Sequence, residues 1–199
     1  MIKGIFFDSG NVLVKEGFKP GIAEYEKKHK IAQGELYAFC HDYDYWQEFT
    51  LGNISEKAYY EHVAKNFKKS LDIKELDKLI YQNFIPNFPL LKFIKTLRND
   101  YILGIISNNP KEWFNYFWQE YRWHEVFNVK SVSGEIHIRK PDMRIFFDAL
   151  AKAKIQGQEA LYVDDRPERG LAAKEIGVNV LIYENLSQLK KDIKILLLK

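Results

Sequence analysis

The chain opens on an apolar run, Ile2 to Phe7, that shows no polar alternation, ends on the carboxylate of Asp8 and turns at Gly10. Such a run reads as a strand buried on both faces, the central position of a parallel sheet, with Asp8 emerging at its carboxyl end. From about residue 20 to 85 the spacing is helical and little reads as strand. Tyr59, Tyr60, Val63 and Phe67 share one helix face after Ser55 as N-cap. Ile73, Leu76, Leu79 and Ile80 share another after Asp72, with Glu75 completing a capping-box spacing. Pro86 and Pro89 close the block.

Beyond it, strand and helix alternate. Leu90, Phe93, Ile94 and Leu97 mark a helix, and Tyr101 to Ile106 a strand that ends in Ser107-Asn108-Asn109-Pro110. Pro110 is expected at the first helical position of the next helix. Residues 126–132 form a weaker strand candidate, and a helix starts near Asp142. Ala160 to Val163 leads into Asp164-Asp165, Pro167 to Ile176 is helical, and Gly177 stops it. Val178 to Tyr183 is the last strand, followed by a closing helix through Leu186, Leu189, Ile193 and Leu196. This order predicts an α/β fold, a three-layer α/β/α Rossmann-like sandwich with a parallel sheet. Residues 1–14 and 86–199 make the core, and 15–85 a helical cap inserted after the first strand. No Gly-x-Gly-x-x-Gly follows a strand, which argues against a dinucleotide site.

Composition narrows the partners. With 30 basic and 27 acidic residues spread along the chain, the net charge of +3 gives no case for nucleic acid or a membrane surface. A small anionic molecule is the partner it permits; monomer and homodimer are equally open. Cys40, the single cysteine, excludes an intrachain disulfide and a cysteine metal cluster and suits a reducing, cytoplasmic setting. Asp8 comes too early for a signal peptide, and no apolar run approaches a membrane span.

The chemistry sits just past the strands: Asp8, Ser107, Lys140 within Ile138-Arg139-Lys140-Pro141-Asp142, and Asp164-Asp165. In a doubly wound sheet the carboxyl ends of neighbouring strands converge on one crevice. Carboxylates gathered there repel one another unless a cation joins them, and all-oxygen ligation suits Mg²⁺. Lysine and serine beside them could hold an anion, and a carboxylate left free on the metal's far side can attack phosphorus.

The order of these motifs resembles the haloacid dehalogenase superfamily from end to end. The most specific matches are Ser133-x-Glu135-x-x-x-Arg139-Lys140-Pro141-Asp142 and Val163-Asp164-Asp165 through Ala172-Ala173 to Gly177, and Gly52-x-Ile54-Ser55 resembles a segment of the superfamily's helical cap. The resemblance implies a phosphoric monoester hydrolase with Asp8 as nucleophile and Lys140 steadying both nucleophile and phosphate. It implies Ser107, with the amides of Ser9 and Asn108, at the phosphoryl oxygens. Mg²⁺ would be held by Asp8, Asp165 and the Gly10 carbonyl, with Asp164 in or near its shell. The expected substrate is a small phosphorylated metabolite such as a sugar phosphate.

Two positions depart from the pattern. Most phosphatases of the superfamily carry an acid–base aspartate where this chain has Gly10, so turnover should be slow, should favour leaving groups that depart without a proton, or should recruit another acid. A catalytically weakened protein that binds a phosphorylated ligand or a protein partner is the alternative reading. His137 stands where glycine is usual. The stretch His41-Asp42-Tyr43-Asp44-Tyr45-Trp46 reads first as a helix face packed on the core, with Tyr43 or Trp46 as candidate substrate contacts. His29, His62 and His124 read as surface residues, the aromatic run from Trp113 to Trp123 as core or an oligomer surface, and Arg166 and Arg169 as solvated more readily than substrate-bound.

Overall fold

Gly4–Phe7 (β1) is fully buried and forms the middle strand of a five-stranded, wholly parallel sheet in this computed structural model, which describes residues 1–197. Its neighbours are β4 (Ile102–Ser107) and β6 (Ala160–Asp164), with Phe7 level with Ile105 on one side and Val163 on the other. Outside these lie β5 (Val129–Val132) and β7 (Asn179–Ile182), giving the order β5-β4-β1-β6-β7. Because β1 is covered on both faces, the apolar run with which the chain opens has no solvent side.

Strand alternation divides the core into two apolar clusters. Ile5, Phe7, Leu103, Ile105, Leu161 and Val163 pack against α6 (Phe88–Thr96), α7 (Lys111–Glu120) and α11 (Leu186–Leu197). Phe6, Ile106 and Tyr162 face α9 (Arg144–Ala153) and α10 (Pro167–Glu175) on the other side. The expected three-layer α/β/α sandwich is therefore present. Trp113, Phe114, Phe117 and Trp123 are all buried in the first cluster, so the aromatic run is core. Pro110 stands at the N-cap of α7, one residue before the expected position.

Between β1 and α6 lie five helices: α1 (Phe18–Lys28), α2 (Glu35–Cys40), α3 (Tyr43–Thr50), α4 (Glu56–Asn66) and α5 (Ile73–Asn83). A short antiparallel pair, β2 (Val14–Lys15) with β3 (Ile85–Pro86), ties their entry to their exit. Two residues are too few to show an alternating pattern, which is why these strands escape a sequence reading. Ser55 Oγ accepts from Ala58 N–H, as its N-cap assignment requires. Asp72 accepts from Glu75 N–H, but Glu75 turns its carboxylate to Lys28 and His29, so the capping box is half formed. The N-cap of α2 is Gly34, which offers no side chain. Glu26 replaces it from α1, its buried carboxylate accepting from Gly34, Leu36 and Tyr37 N–H at 2.7, 2.8 and 3.1 Å.

The turn between α3 and α4 docks on α8 (Ser133–Ile136). Ser133 Oγ donates to Thr50 O at 2.6 Å, and a Cβ at Gly52 would stand 2.2 Å from Gly134 O. Gly52 has φ of 72°, so both its conformation and its space require glycine. His137 has φ of 56°, the left-handed region that explains a preference for glycine there, and its Nδ1 meets Asn53 Oδ1 at 3.1 Å across the same junction. The apolar cluster runs without a break from the sheet through α7 into the five helices. Among the described residues, no helix is long and apolar enough to cross a membrane.

Candidate active site

Because β4, β1 and β6 are adjacent and in register, their carboxyl ends bring Ser107, Asp8 and Asp164 side by side. Asp8 is 1% exposed and its N–H donates to Val163 O, which fixes the carboxylate at the sheet edge. Lys140 reaches it from the segment after α8. The ammonium lies 2.8 Å from Asp8 Oδ1 and 3.1 Å from Asp164 Oδ2, and donates to Ile106 O at 3.0 Å and to the Tyr162 hydroxyl. Asn108 holds the Lys140 backbone at two points, donating to its carbonyl at 2.9 Å and accepting from its N–H at 2.8 Å. A buried ammonium needs such partners, since an unpaired one would carry a desolvation cost of several kcal/mol.

Asp164 is spent on this anchoring. Its Oδ2 takes Lys140 and the Tyr162 hydroxyl, and its Oδ1 takes Arg166 N–H at 2.9 Å. Burial pushes this carboxyl up, but the Lys140 charge and the two hydrogen bonds outweigh it and hold the group below the usual carboxylate range. Asp165 is the contrasting neighbour. Burial and the charge of Asp8 push it up to about 6. Its Oδ1 is buried with no partner, and its Oδ2 has only a long 3.4 Å contact from Asn11.

Oxygens of Asp8, Asp164 and Asp165 lie within 4.8 Å of one another. An orphaned buried carboxylate oxygen beside a second carboxylate is a donor set short of a cation, and all-oxygen ligands suit Mg²⁺. The residues fit that ion, with Asp165 offering the unpartnered oxygen, Asp8 shared with side-chain cations and Asp164 already engaged. Besides Lys140, a second side-chain cation is already present. Arg169 Nη1 lies 2.9 Å from Asp8 Oδ2 and its side chain is 25% exposed, so it is bound to the central carboxylate and not solvated. Burial disfavours its charge, yet Asp8 and Asp164 outweigh that and hold it above the ordinary arginine value. Nothing local in the sequence signals this contact, whose partners are 161 positions apart.

On the other side of Asp8 stands a hydroxyl pair. Ser9 Oγ and Ser107 Oγ are 2.6 Å apart, both fully buried, and Asn109 Nδ2 donates to each at 2.6 Å. Asn109 and Tyr162 are the members of the constellation that the sequence reading passes over. Tyr162 was detectable, because strand alternation puts it on the same sheet face as Asp164.

The groups open onto a cavity of about 440 Å³ whose lining includes Asp8, Ser9, Gly10, Asn108, Asp165 and Arg169 at one end and Phe18, Tyr37, Trp46, Phe84 and Trp113 at the other. Trp46 thus packs on the core and lines the cavity at once, stacked on Phe18 with ring centres 4.5 Å apart. The Tyr43 side chain lies outside what the structure describes. His29 and His62 stack on Tyr25 and Tyr45, and the exposed His124 bonds Trp118 O, so none of the three reaches the site. A broader depression of about 620 Å³ at the opposite edge of the sheet, around Lys3, Asp100 and Asn128, gathers no such groups.

Comparison with known proteins places the family and the fold. The family model described as haloacid dehalogenase-like hydrolase matches residues 13–183, beginning beyond Asp8. Flavin mononucleotide hydrolase 1 of Arabidopsis thaliana is 25% identical over 152 residues, which cover 74% of this chain and 60% of that protein. The chain therefore spans less than two thirds of that relative. A HAD-like family hydrolase of Porphyromonas gingivalis superposes with a TM-score of 0.82 at 19% identity, over 100% of this chain and 99% of that one. A HAD family enzyme of Bacteroides thetaiotaomicron, in complex with magnesium and inorganic phosphate, gives 0.72 at 21% identity over 95% and 99%. At these identities the structures speak for the fold.

Proposed function

The chain belongs to the haloacid dehalogenase-like hydrolases, and on that premise we propose that it hydrolyses phosphate monoesters through an aspartyl-phosphate on Asp8. One observation carries the reading: Asp8 is held at the sheet edge by Lys140 at 2.8 Å, with the Ser9–Ser107 hydroxyl pair on one side and the orphaned Asp165 on the other. A halogenated substrate would make no use of that carboxylate cluster, whereas a phosphoryl group and a divalent cation together would. The Arabidopsis relative, named for hydrolysis of flavin mononucleotide, supports a phosphate ester, and the substrate is read as a small phosphorylated metabolite.

In this mechanism Asp8 attacks phosphorus in line and the ester oxygen departs. Water then attacks the same phosphorus and releases Asp8 and inorganic phosphate. Lys140 holds Asp8 oriented, and its charge offsets that of the transferring group, the dominant service in phosphoryl transfer. Ser107 and Ser9, set by Asn109, and the amide of Asn108 bind the phosphoryl oxygens. Mg²⁺ held by Asp8, Asp165 and the Gly10 carbonyl would neutralise further charge on those oxygens. Residues 15–85 act as the cap that encloses the leaving group. Burial pushes the Cys40 thiol up to about 12, which leaves the sole cysteine inert and suits a cytoplasmic setting.

The second reading, a weakened enzyme retained as a binding protein, rests on Gly10. Trapping separates the two. After incubation with p-nitrophenyl phosphate and Mg²⁺, borohydride reduction should convert Asp8 to homoserine, visible by peptide mass spectrometry, and Asp8→Asn should abolish both label and turnover. Phosphate binding with neither label nor turnover would favour the binding protein, and turnover that survives Asp8→Asn would remove the nucleophile.

A further inference from the structure

Two features of the cavity point to its substrate. The end away from Asp8 is walled by aromatic rings: Trp46 stacks on Phe18, and Trp113 lies 5.4 Å from Phe18 and 5.7 Å from Trp46, centre to centre. Polar groups on the stacked rings are engaged, while Glu16, Lys19 and His41 line the cavity beside them. The Trp113 indole N–H is taken by Glu56 at 2.7 Å, and Thr50 Oγ1 donates to Gln47 O and accepts from Arg139. Against the faces of these rings a sugar would lose water without gaining partners, whereas a flat ring would stack.

The second feature is at the reacting end. Gly10 lines the cavity, and a Cβ built on it would meet nothing within 4 Å, so open space stands where a proton donor could be. Of the acids beside Asp8, Asp164 is committed to Lys140, and Asp165 would be committed to Mg²⁺ when that ion is bound. With no carboxyl at position 10 to protonate it, a leaving oxygen that departs as an anion is favoured. An alkanol resists this, since its acidity is near that of water, about 15.7, while a phenol ionises at about 10.

Resting on the phosphatase reading, we infer that the substrate is a phosphate monoester of an aromatic hydroxyl, with the phosphate borne directly on the ring. An Asp8 oxygen forms its bond to phosphorus as the phosphorus–aryl oxygen bond breaks, and the electron pair leaves on the aryl oxide, which takes a proton from solvent. Water then bonds to phosphorus, the aspartyl oxygen–phosphorus bond breaks, and the products are the phenol and inorganic phosphate.

The test uses four esters, p-nitrophenyl phosphate among them, and two phosphonates. Phenyl phosphate should exceed benzyl phosphate, which keeps the ring but leaves as an alkoxide, and glucose 6-phosphate by about 100-fold or more in kcat/KM, the usual worth of a general acid. Gly10→Asp should raise benzyl phosphate turnover and close most of that gap. Independently of turnover, phenylphosphonate should bind the wild-type protein on the order of 10-fold more tightly than methylphosphonate. Equal rates on phenyl and benzyl phosphate, faster glucose 6-phosphate, or phosphonates of equal affinity would overturn the inference. Failure of every ester, p-nitrophenyl phosphate included, would instead overturn the phosphatase reading.

Discussion

Arg169 makes the sharpest test of how the site handles charge. Its guanidinium donates to Asp8 Oδ2 at 2.9 Å, and Lys140 occupies the other oxygen. A divalent ion bound to Oδ2 would sit about 2.1 Å from it and must displace or crowd that guanidinium. A hydrogen bond to a charged group is worth about 1.5–3 kcal/mol, and each 1.4 kcal/mol is tenfold in affinity. Arg169→Met, which keeps an unbranched stem and removes the charge, should therefore bind Mn²⁺ about 10- to 100-fold more tightly than the parent, measured by electron paramagnetic resonance without phosphate. The metal-free variant should also be less stable, because Asp8, 1% exposed, is left with Lys140 alone, and added metal should restore the loss through mass action. Arg169→Lys, retaining a cation, should stay near the parent value. Metal affinity unchanged or weakened in Arg169→Met would refute the view that the guanidinium and the ion compete for one oxygen.

Three further outcomes concern stability. Glu26→Ala removes the acceptor of three backbone N–H groups at the start of α2 and should cost about 3 kcal/mol, read as a fall of about 6–12 °C in Tm. Burial and the nearby Asp77 push Glu56 up to about 7 from its ordinary 4.5, so the native state holds a proton that the unfolded chain has lost between those values. Stability from this group is thus fully present below about 4.5 and falls as pH rises through 7. With Glu56 partly open to solvent, about 2 kcal/mol is expected, and Glu56→Gln should flatten the trend in urea midpoints taken at pH 5 and 7.5. Gly52→Ala forces a Cβ to 2.2 Å from Gly134 O at a φ of 72° and should cost about 2–4 kcal/mol by the same urea titration; a loss under 1 kcal/mol would mean the α3–α4 turn is free to move.

Local pattern and spacing carried the sheet, its parallel sense and the gathering of Asp8, Ser107, Lys140 and Asp164-Asp165. Those follow from rules that act within a few residues: an apolar run long enough for a doubly covered strand, and connections that return each strand in the same direction. The β2–β3 pair, the Glu26 cap and the half-formed box at Asp72 were not legible, because each depends on a partner more distant than any local period reaches. The same limit explains Arg169. Solvation is the commoner fate of an arginine at a helix start, and its bond to Asp8, 161 positions away, arises because β1 and β6 are adjacent in the sheet. Asp164 and Asp165 show the division most plainly. Adjacent and identical in the chain, they are driven to opposite protonation preferences, since one faces the Lys140 ammonium and the other an unfilled acceptor position beside Asp8. Residue types can announce a carboxylate pair, but which member binds a cation is settled by the three-dimensional surroundings of each oxygen.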